Sequence, residues 1–280
     1  MTTRHIITAV PRLMQSLRKR RWPGFAGSPN HPGRTRMKRS TTLATFMLSP
    51  LSLTAPTGCG GGSADAKGSP GTPTSSASAS PTRTAGPTQQ VQQRILTSSD
   101  AAGYLVSKPH SEYGLAKSQK DLSVDKSACL PAGYAMNSLP AGSPQASLTR
   151  IAAKKEPDGI LTYITLSIDA HGQAQAAMTG LSTAAKSCAD GFTAKGPDGE
   201  NPYRTVRPEP SPAGGDEALA FAPGFDDACG HTRTVRTQVF RFGDLVVTYF
   251  AIDSQAFLHR TTGNAKIPPP VVKTQNAKLT

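Results

Sequence analysis

A run of 31 residues, 60–90, contains no Val, Ile, Leu, Met, Phe, Trp, Tyr or Cys. It is mostly Gly, Ser, Thr, Ala and Pro, so it has no apolar surface whose burial would offset the entropy lost on ordering. We therefore expect a flexible linker, with a root-mean-square span of roughly 30 Å if it behaves as a random coil. This linker divides the chain into a leader and one folded domain.

The segment before the linker has the organisation of a bacterial export signal. A basic pair and the apolar stretch 41–53 follow Met37, and small residues then lead to Cys59. The apolar stretch is shorter than the about 20 residues that a membrane-spanning helix needs. We predict that residues 1–58 are leader and lipoprotein signal peptide, with translation starting at Met37.

The residues around Cys59 resemble the lipobox of bacterial lipoproteins, in which a diacylglycerol is attached to the Cys and cleavage makes that Cys the new N-terminus. Gly58 fits the position before the Cys, whereas Pro56 replaces the usual Leu. Two acyl chains would anchor the protein stably, at about 0.8 kcal/mol per buried CH₂. We predict that residues 59–90 are a lipidated Cys and its linker, at the outer face of the cell membrane. A secreted protein cleaved near Ala55, or a structural Cys, is the alternative.

Ten of the thirteen net positive charges belong to the leader. Residues 1–58 hold ten Lys or Arg and no acid, whereas the rest of the chain holds 21 basic and 18 acidic residues. The folded part therefore lacks the basic surface that nucleic-acid binding requires. We predict no nucleic-acid partner.

Two helices are predicted in the domain. Ser98, Ser99 and Asp100 would cap a helix over residues 101–106. The second is better defined, because an apolar stripe recurs at steps of three and four and Gly191 can end the helix. The stripe consists of Ala174, Met178, Leu181, Ala185 and Cys188.

Alternating apolar and polar residues predict strands over residues 147–153 and 160–168. Two β-rich runs, 232–242 and 245–252, flank Gly243-Asp244 and predict a hairpin with a tight turn. Gly214 to Glu217 is interpreted as a turn entering a strand over 218–221, after a Gly- and Pro-rich loop over 191–216. Strands on both sides of a helix predict an α+β domain with a mainly antiparallel sheet.

The boundaries of this domain are predicted from composition. Apolar residues return at Val91, and Pro268-Pro269-Pro270 cannot continue a strand ladder. We therefore expect the extracytoplasmic domain to span residues 91–266 and a Pro-rich tail to span 267–280.

Three cysteines follow Cys59, and export favours a disulfide among them. Their spacing contains no C-x-x-C motif, which argues against a zinc or thioredoxin-like site. Cys129 with Cys188 is the favoured pair, because it would tie the segment before Pro131 to the predicted helix. Cys229 would then remain as a thiol, and we favour a buried, inert one over a reactive one. The pair Cys188 with Cys229 stays open.

The order of several motifs resembles actinobacterial lipoproteins related to the extracellular sensor domain of the mycobacterial kinase PknH. These motifs are LTSSD at 96–100, Cys129 before a Pro-containing turn, AAKSCADGF at 184–192, GGDE at 214–217 and RFGDLVVT at 241–248. The resemblance implies an α+β fold with a cleft beside the sheet and a sensing or ligand-binding role. Members with four cysteines form two bridges, so the second bridge would be incomplete here.

No catalytic constellation emerges from the residues. The histidines of the domain follow no metal-binding spacing, and no G-x-S-x-G motif surrounds a serine. We predict no enzymatic activity and no cofactor, with a hydrolase as the least favoured alternative. The histidines are His110, His171, His231 and His259.

Weaker site signals are interpreted as structural. The acids of residues 198–201 and 226–227 lack the spacing of a calcium loop, and residues 214–217 lack the Lys of a phosphate-binding loop. We predict no metal site. Aromatic residues at period two would line a cleft or, as we favour, fill the core. They are Tyr163, Tyr249, Phe240 and Phe250.

The predicted function is that of a membrane-anchored, non-catalytic, sensor-like domain that binds a small ligand or wall component. The alternative is a scaffolding lipoprotein that contacts another envelope protein. An edge strand or an exposed apolar patch would favour that alternative.

Overall fold

A computed structural model of the chain describes residues 85–109, 115–197, 199–226 and 229–280. The described residues belong to one compact unit. The predicted signal peptide, Cys59 and most of the linker lie outside them.

The described residues contain five α-helices and twelve strands. The helices are α1 (Pro87–Arg94), α2 (Leu130–Ala135), α3 (Gln173–Ser187), α4 (Ser254–His259) and α5 (Pro269–Asn276). The strands are β1 (Tyr104–Ser107), β2 (Ser123–Val124), β3 (Ala146–Lys154), β4 (Ile160–Ile168), β5 (Phe192–Gly196), β6 (Gly199–Tyr203), β7 (Thr205–Glu209), β8 (Glu217–Asp226), β9 (Thr232–Thr234), β10 (Arg236–Phe242), β11 (Leu245–Asp253) and β12 (Gly263–Asn264).

Nine strands form one sheet in the order β1-β3-β4-β11-β10-β8-β9-β12, with β7 also paired to β8. Strands β2, β5 and β6 form a smaller sheet. All neighbours are antiparallel except β9 and β12. The predicted α+β fold with a mainly antiparallel sheet is confirmed.

The best-patterned elements fall where they were predicted. Strand β4 has the predicted bounds, β10 and β11 pair through Gly243-Asp244, and Gly243 takes a positive φ of 60° that suits a tight turn. The predicted stripe of α3 is buried. In β4 and α3 the signal is a fixed period of apolar side chains, and in the hairpin it is the Gly-Asp pair between two β-rich runs.

The large sheet packs on both faces. We call the face that carries Tyr163, Val246 and Phe250 the front; it shares a hydrophobic cluster with α2, α3 and the small sheet. The opposite face, the back, carries Ile164 and Tyr249 and shares a second cluster with α1 and α5. Side chains of neighbouring residues therefore enter two separate cores.

The prediction of a long loop over residues 191–216 is wrong. The segment forms β5, β6 and β7, of which β5 pairs with β6 and β7 pairs with β8. Pro208 is tolerated because β7 is an outer strand and hydrogen bonds to β8 through the alternate residues. Gly and Pro content therefore misled the prediction, while pairing with distant strands decided the structure.

The prediction of a helix over residues 101–106 is also wrong, since the segment ends in the edge strand β1. Asp100 accepts from the Thr97 backbone N at 2.7 Å instead of capping a helix. The Ser98 hydroxyl accepts from Val106 N at 2.9 Å and donates to Val106 O at 3.0 Å. One side chain thus satisfies both backbone polar groups of Val106 on this edge strand.

The predicted domain boundaries are too narrow. Helix α1 begins at Pro87, inside the predicted linker. Three prolines do not end the domain, because Pro269 and Pro270 occupy the first positions of α5, where a missing N–H and a fixed φ are favourable. Val271 and Leu279 of the predicted tail are buried in the back cluster. The domain therefore includes α1, α5 and the buried Leu279.

Candidate functional site

The disulfide joins Cys129, just before α2, to Cys188 at the end of α3. Both cysteines are buried, with 1% and 0% of their surface exposed. The Cys188–Cys229 alternative is therefore wrong. The expectation of a buried Cys229 is wrong as well, because this residue is exposed in the short turn before β9.

The front face of the sheet is covered unevenly. Helix α3 packs on β7, β8 and β10. On β3, β4 and β11 the apolar side chains of Ile151, Leu161 and Ile252 border the front cluster and stay half-buried. They lie in two adjacent cross-strand rows, since Ile151 is opposite Tyr163 and Leu161 is opposite Ile252. We call these three residues, with Tyr163 and Phe250, the half-open patch.

Two aromatic rings form the floor of the half-open patch. Tyr163 and Phe250 pair across β4 and β11, their ring centroids lie 6.1 Å apart, and each is 8% exposed. Tyr134 of α2 and Phe257 of α4 also border the front cluster and are half-buried. The patch is apolar with aromatic rings, which is the composition of small-molecule sites.

A polar row bounds the patch on one side. Thr149, Thr165 and Thr248 lie side by side on β3, β4 and β11. The hydroxyls of Thr149 and Thr165 are 3.0 Å apart, and Thr165 donates to the Ser138 carbonyl at 3.1 Å. Beside Phe250, the Thr237 hydroxyl is fully buried and has no hydrogen-bond partner among the described residues. This row places polar groups next to the aromatic floor.

The four aromatic residues singled out in the sequence are all buried, as favoured, but they separate onto two faces. Tyr163 and Phe250 lie on the front, whereas Phe240 and Tyr249 are fully buried on the back. The Tyr249 hydroxyl donates to Asn276 Oδ1 at 2.7 Å, and burial raises the pKa of this phenol well above its ordinary value. The back pair is therefore structural.

The first turn of α3 lies near a carboxylate that the sequence did not single out. Asp169 follows β4 directly and is 3% exposed. Its Oδ2 is 3.5 Å from the Ser167 hydroxyl, and its Oδ1 has no hydrogen-bond partner among the described residues. Burial raises the pKa of Asp169 above its ordinary value; the contact from Ser167 opposes this shift and the charge of Asp244 adds to it.

A Ser, a His and acids therefore occur in one region, but their exposure differs. His171 Nδ1 lies 3.6 Å from Asp244 Oδ1 and its side chain is fully exposed. Ser167 is 2% exposed, and its hydroxyl also donates to the Val246 carbonyl at 3.4 Å. A substrate that reached the imidazole from solvent would not reach this hydroxyl, so the arrangement does not match an activated serine.

The acidic and Gly-rich signals are structural where they are described. Glu200 pairs with Lys195 at 3.4 Å. Asp216 accepts from Gly243 N at 2.7 Å and from Arg241 at 3.0 Å, which braces the β10–β11 turn. The part of the chain that the structure describes contains no cluster of three or more His, Cys, Asp or Glu suited to a metal ion. Residues 198 and 227 lie outside that part.

No protein-family model matches the chain, and no curated protein matches it in sequence. Among solved structures, the chain is similar to the extracellular domain of PknH from Mycobacterium tuberculosis, with 14% sequence identity and a TM-score of 0.44 over 69% of this chain and 95% of that one. It is also similar to an uncharacterized protein of Mycobacterium smegmatis, the Rv0999 ortholog, with 13% identity and a TM-score of 0.33 over 68% and 95%.

The first of these structures is the extracellular domain of PknH, the same kinase domain that the order of sequence motifs resembles. Sequence identities and TM-scores as low as these describe a similarity in backbone fold and assign no ligand or activity to this chain. Within the described ranges, no helix is long and apolar enough to cross a bilayer.

Proposed function

We propose that the chain is an extracytoplasmic lipoprotein, anchored by a lipid on Cys59, whose non-catalytic, sensor-like domain binds a small ligand or wall component at the half-open patch. The observation that carries the binding role is the half-open patch, where half-buried apolar side chains lie beside two aromatic rings. The buried Cys129–Cys188 disulfide supports the location, because such bonds persist in oxidising compartments.

Labelling with radioactive fatty acid in the producing cells tests the anchor. We expect label in the wild-type protein and none in Cys59→Ala. The Cys229→Ala variant is the matched control, since this exposed cysteine lies outside the disulfide and its loss should leave labelling unchanged. Equal labelling of the wild type and Cys59→Ala would reject lipid attachment at this position.

Capture from a cell-envelope extract, read by mass spectrometry, tests the half-open patch. Ile151→Gln places a polar group in the patch, whereas Leu148→Gln makes a comparable change at a half-buried residue of the same strand on the back face. We expect the wild type and Leu148→Gln to retain a small ligand that Ile151→Gln loses. Identical captured compounds on all three proteins, or none on any, would reject the patch as the binding site.

The alternative of a scaffolding lipoprotein would need a free edge or another contact surface. Two edge strands of the large sheet, β1 and β7, have their outward N–H groups engaged or absent. In β1 the Ser98 hydroxyl binds Val106, and in β7 the Val206 N donates to the Ala189 carbonyl at 3.0 Å while Pro208 has no N–H. Addition of a partner strand to these edges is therefore disfavoured.

A further inference from the structure

Asp169 lies beneath a loop formed by residues 139–145. Its backbone N donates to the Asp244 carbonyl at 2.9 Å, which fixes the residue between β4 and the β10–β11 turn. The loop approaches so closely that a Cβ added to Gly142 would lie 3.0 Å from Asp169 Oδ1. A carboxyl group is therefore enclosed where a short polypeptide loop crosses the end of the sheet.

Polar contacts at both ends hold this loop in place. The Gln119 side-chain amide donates to the Pro140 carbonyl at 2.8 Å and to the Gly142 carbonyl at 2.5 Å. The Gln145 N donates to the Ile168 carbonyl at 2.8 Å, one residue before Asp169. Movement of the loop would break these bonds and expose the carboxyl to water.

The charge surrounding Asp169 does not stabilise its ionised form. The loop itself, with the sequence LPAGSPQ, contains no charged residue, and the first turn of α3 contains no acid. The charged group acting on it is Asp244, whose own neighbour is the exposed His171. Lys120 and Asp121, on the turn that carries Gln119, are exposed.

An ionised carboxylate with one unpaired oxygen, enclosed beside a second acid, is costly to bury. The neutral acid lacks that charge and carries a proton that it can donate. We propose that Asp169 is a proton-sensing residue that keeps the 139–145 loop closed when its carboxyl is protonated and releases the loop when it is ionised. This inference goes beyond the proposed ligand-binding role and does not depend on it.

The sign follows from proton linkage. Burial and the charge of Asp244 raise the pKa of Asp169 in the closed state, whereas in the open state water surrounds the carboxyl. The closed loop is therefore fully favoured below the open-state pKa, near the ordinary value of about 3.9, and loses stability as pH rises to the closed-state pKa. Because one proton is involved, the closing equilibrium changes at most about tenfold per pH unit within this window.

Hydrogen exchange of the Gln145 amide in the full chain, corrected for the intrinsic pH dependence of exchange, tests the proposal, because this amide donates to the Ile168 carbonyl when the loop is closed. In the wild type, we expect protection to fall as pH rises through this window. In Asp169→Asn, whose side chain stays neutral, protection should not depend on pH. Asp190→Asn makes the same change at an exposed acid and should behave like the wild type.

Two results would overturn the proposal: equal pH dependence in the wild type and Asp169→Asn, or no pH dependence in the wild type. Should Asp169→Asn not fold, carbon-detected NMR titration of the wild-type Asp169 carboxyl gives the answer directly. We expect a pKa above the ordinary aspartate value and a downward shift in Asp244→Asn. A pKa at or below about 3.9 would equally reject the proposal.

Discussion

Replacing Gln275 should uncouple the two ends of the domain. This side chain of α5 is fully buried. Its Oε1 accepts from Leu96 N at 2.6 Å, and its Nε2 donates to the Arg94 carbonyl at 2.9 Å. One residue near the C-terminus therefore satisfies two backbone groups at the end of α1.

The magnitude follows from these two bonds. Gln275→Leu keeps a similar volume, so the transfer and cavity contributions are small and the loss of hydrogen bonds dominates. Leaving the fully buried Leu96 N–H without a partner costs about 1–3 kcal/mol, and losing the partly buried bond to Arg94 costs about 0.5–1.5 kcal/mol. We expect a total loss of about 1.5–4.5 kcal/mol in the free energy of unfolding, a large fraction of a typical domain's stability.

Urea denaturation gives the change in the free energy of unfolding. Hydrogen exchange at the Leu96 amide shows whether that change arises at the contact between Gln275 and Leu96. Lys273→Leu introduces the same side chain at an exposed position of α5 and should change stability by less than about 0.5 kcal/mol. A Gln275→Leu protein that loses under about 1 kcal/mol, or that protects the Leu96 amide like the wild type, would contradict this account.

Three further perturbations have expected outcomes. Reduction of the Cys129–Cys188 bond, which closes a loop with a sequence separation of 59, should lower the free energy of unfolding by about 4 kcal/mol; unchanged urea midpoints would contradict this. Gly172 and Gly191 both have a positive φ, so Gly172→Ala should cost roughly 1–2 kcal/mol in the free energy of unfolding. Gly191→Ala should cost well over this amount, because of the two positions only at 191 would a Cβ meet a backbone oxygen, at 2.1 Å. Thermal unfolding of the two variants measures the difference. A hydrogen bond from Lys278 lowers the pKa of Asp100 in the folded state. The contribution of Asp100 to the free energy of unfolding is therefore present above the unfolded-state pKa of about 3.9 and is lost as pH falls below it. Asp100→Asn should accordingly make the free energy of unfolding depend less on pH in measurements across roughly pH 2–6.

The elements predicted correctly carry their signal within one segment. In β4, alternating side chains meet two different cores, so the period of two is visible without knowledge of the partners. In α3, one stripe faces the front cluster while Thr179 and Thr183 point to solvent and donate to carbonyls of their own helix at 3.0 Å. Local pattern and tertiary environment agree in both elements.

The C-terminal helix carried a signal that composition obscured. Val271 and Gln275 lie four residues apart on one face of α5, Leu279 follows at the same spacing just beyond the helix, and all three are buried. Three preceding prolines were interpreted as a terminator, although Pro is favourable in the first turn of a helix. The spacing after the prolines was the better guide.

The burial of Asp169 could not be predicted from its neighbours in sequence. It follows Tyr163, Thr165 and Ser167 in phase on the front face. The 139–145 loop covers this carboxyl. The side chain of Gln119, which lies far from Asp169 in sequence, holds the loop in place. A terminal acid after a strand is ordinarily exposed, so only the tertiary structure identifies this carboxyl as unusual.

The two faces of the large sheet differ in chemistry, and this difference separates structural roles from functional ones. The back face is mostly apolar and is closed by both ends of the domain, although it also buries Thr162 of β4, whose hydroxyl has no hydrogen-bond partner among the described residues. The front face buries Thr165, Ser167, Asp169 and Thr237, and two of these carry polar oxygens without a partner among the described residues. Such groups cost stability when buried, so the fold would be more stable without them. The front face, with its half-open patch and its enclosed carboxyl, is therefore where variants should alter function before they alter the fold.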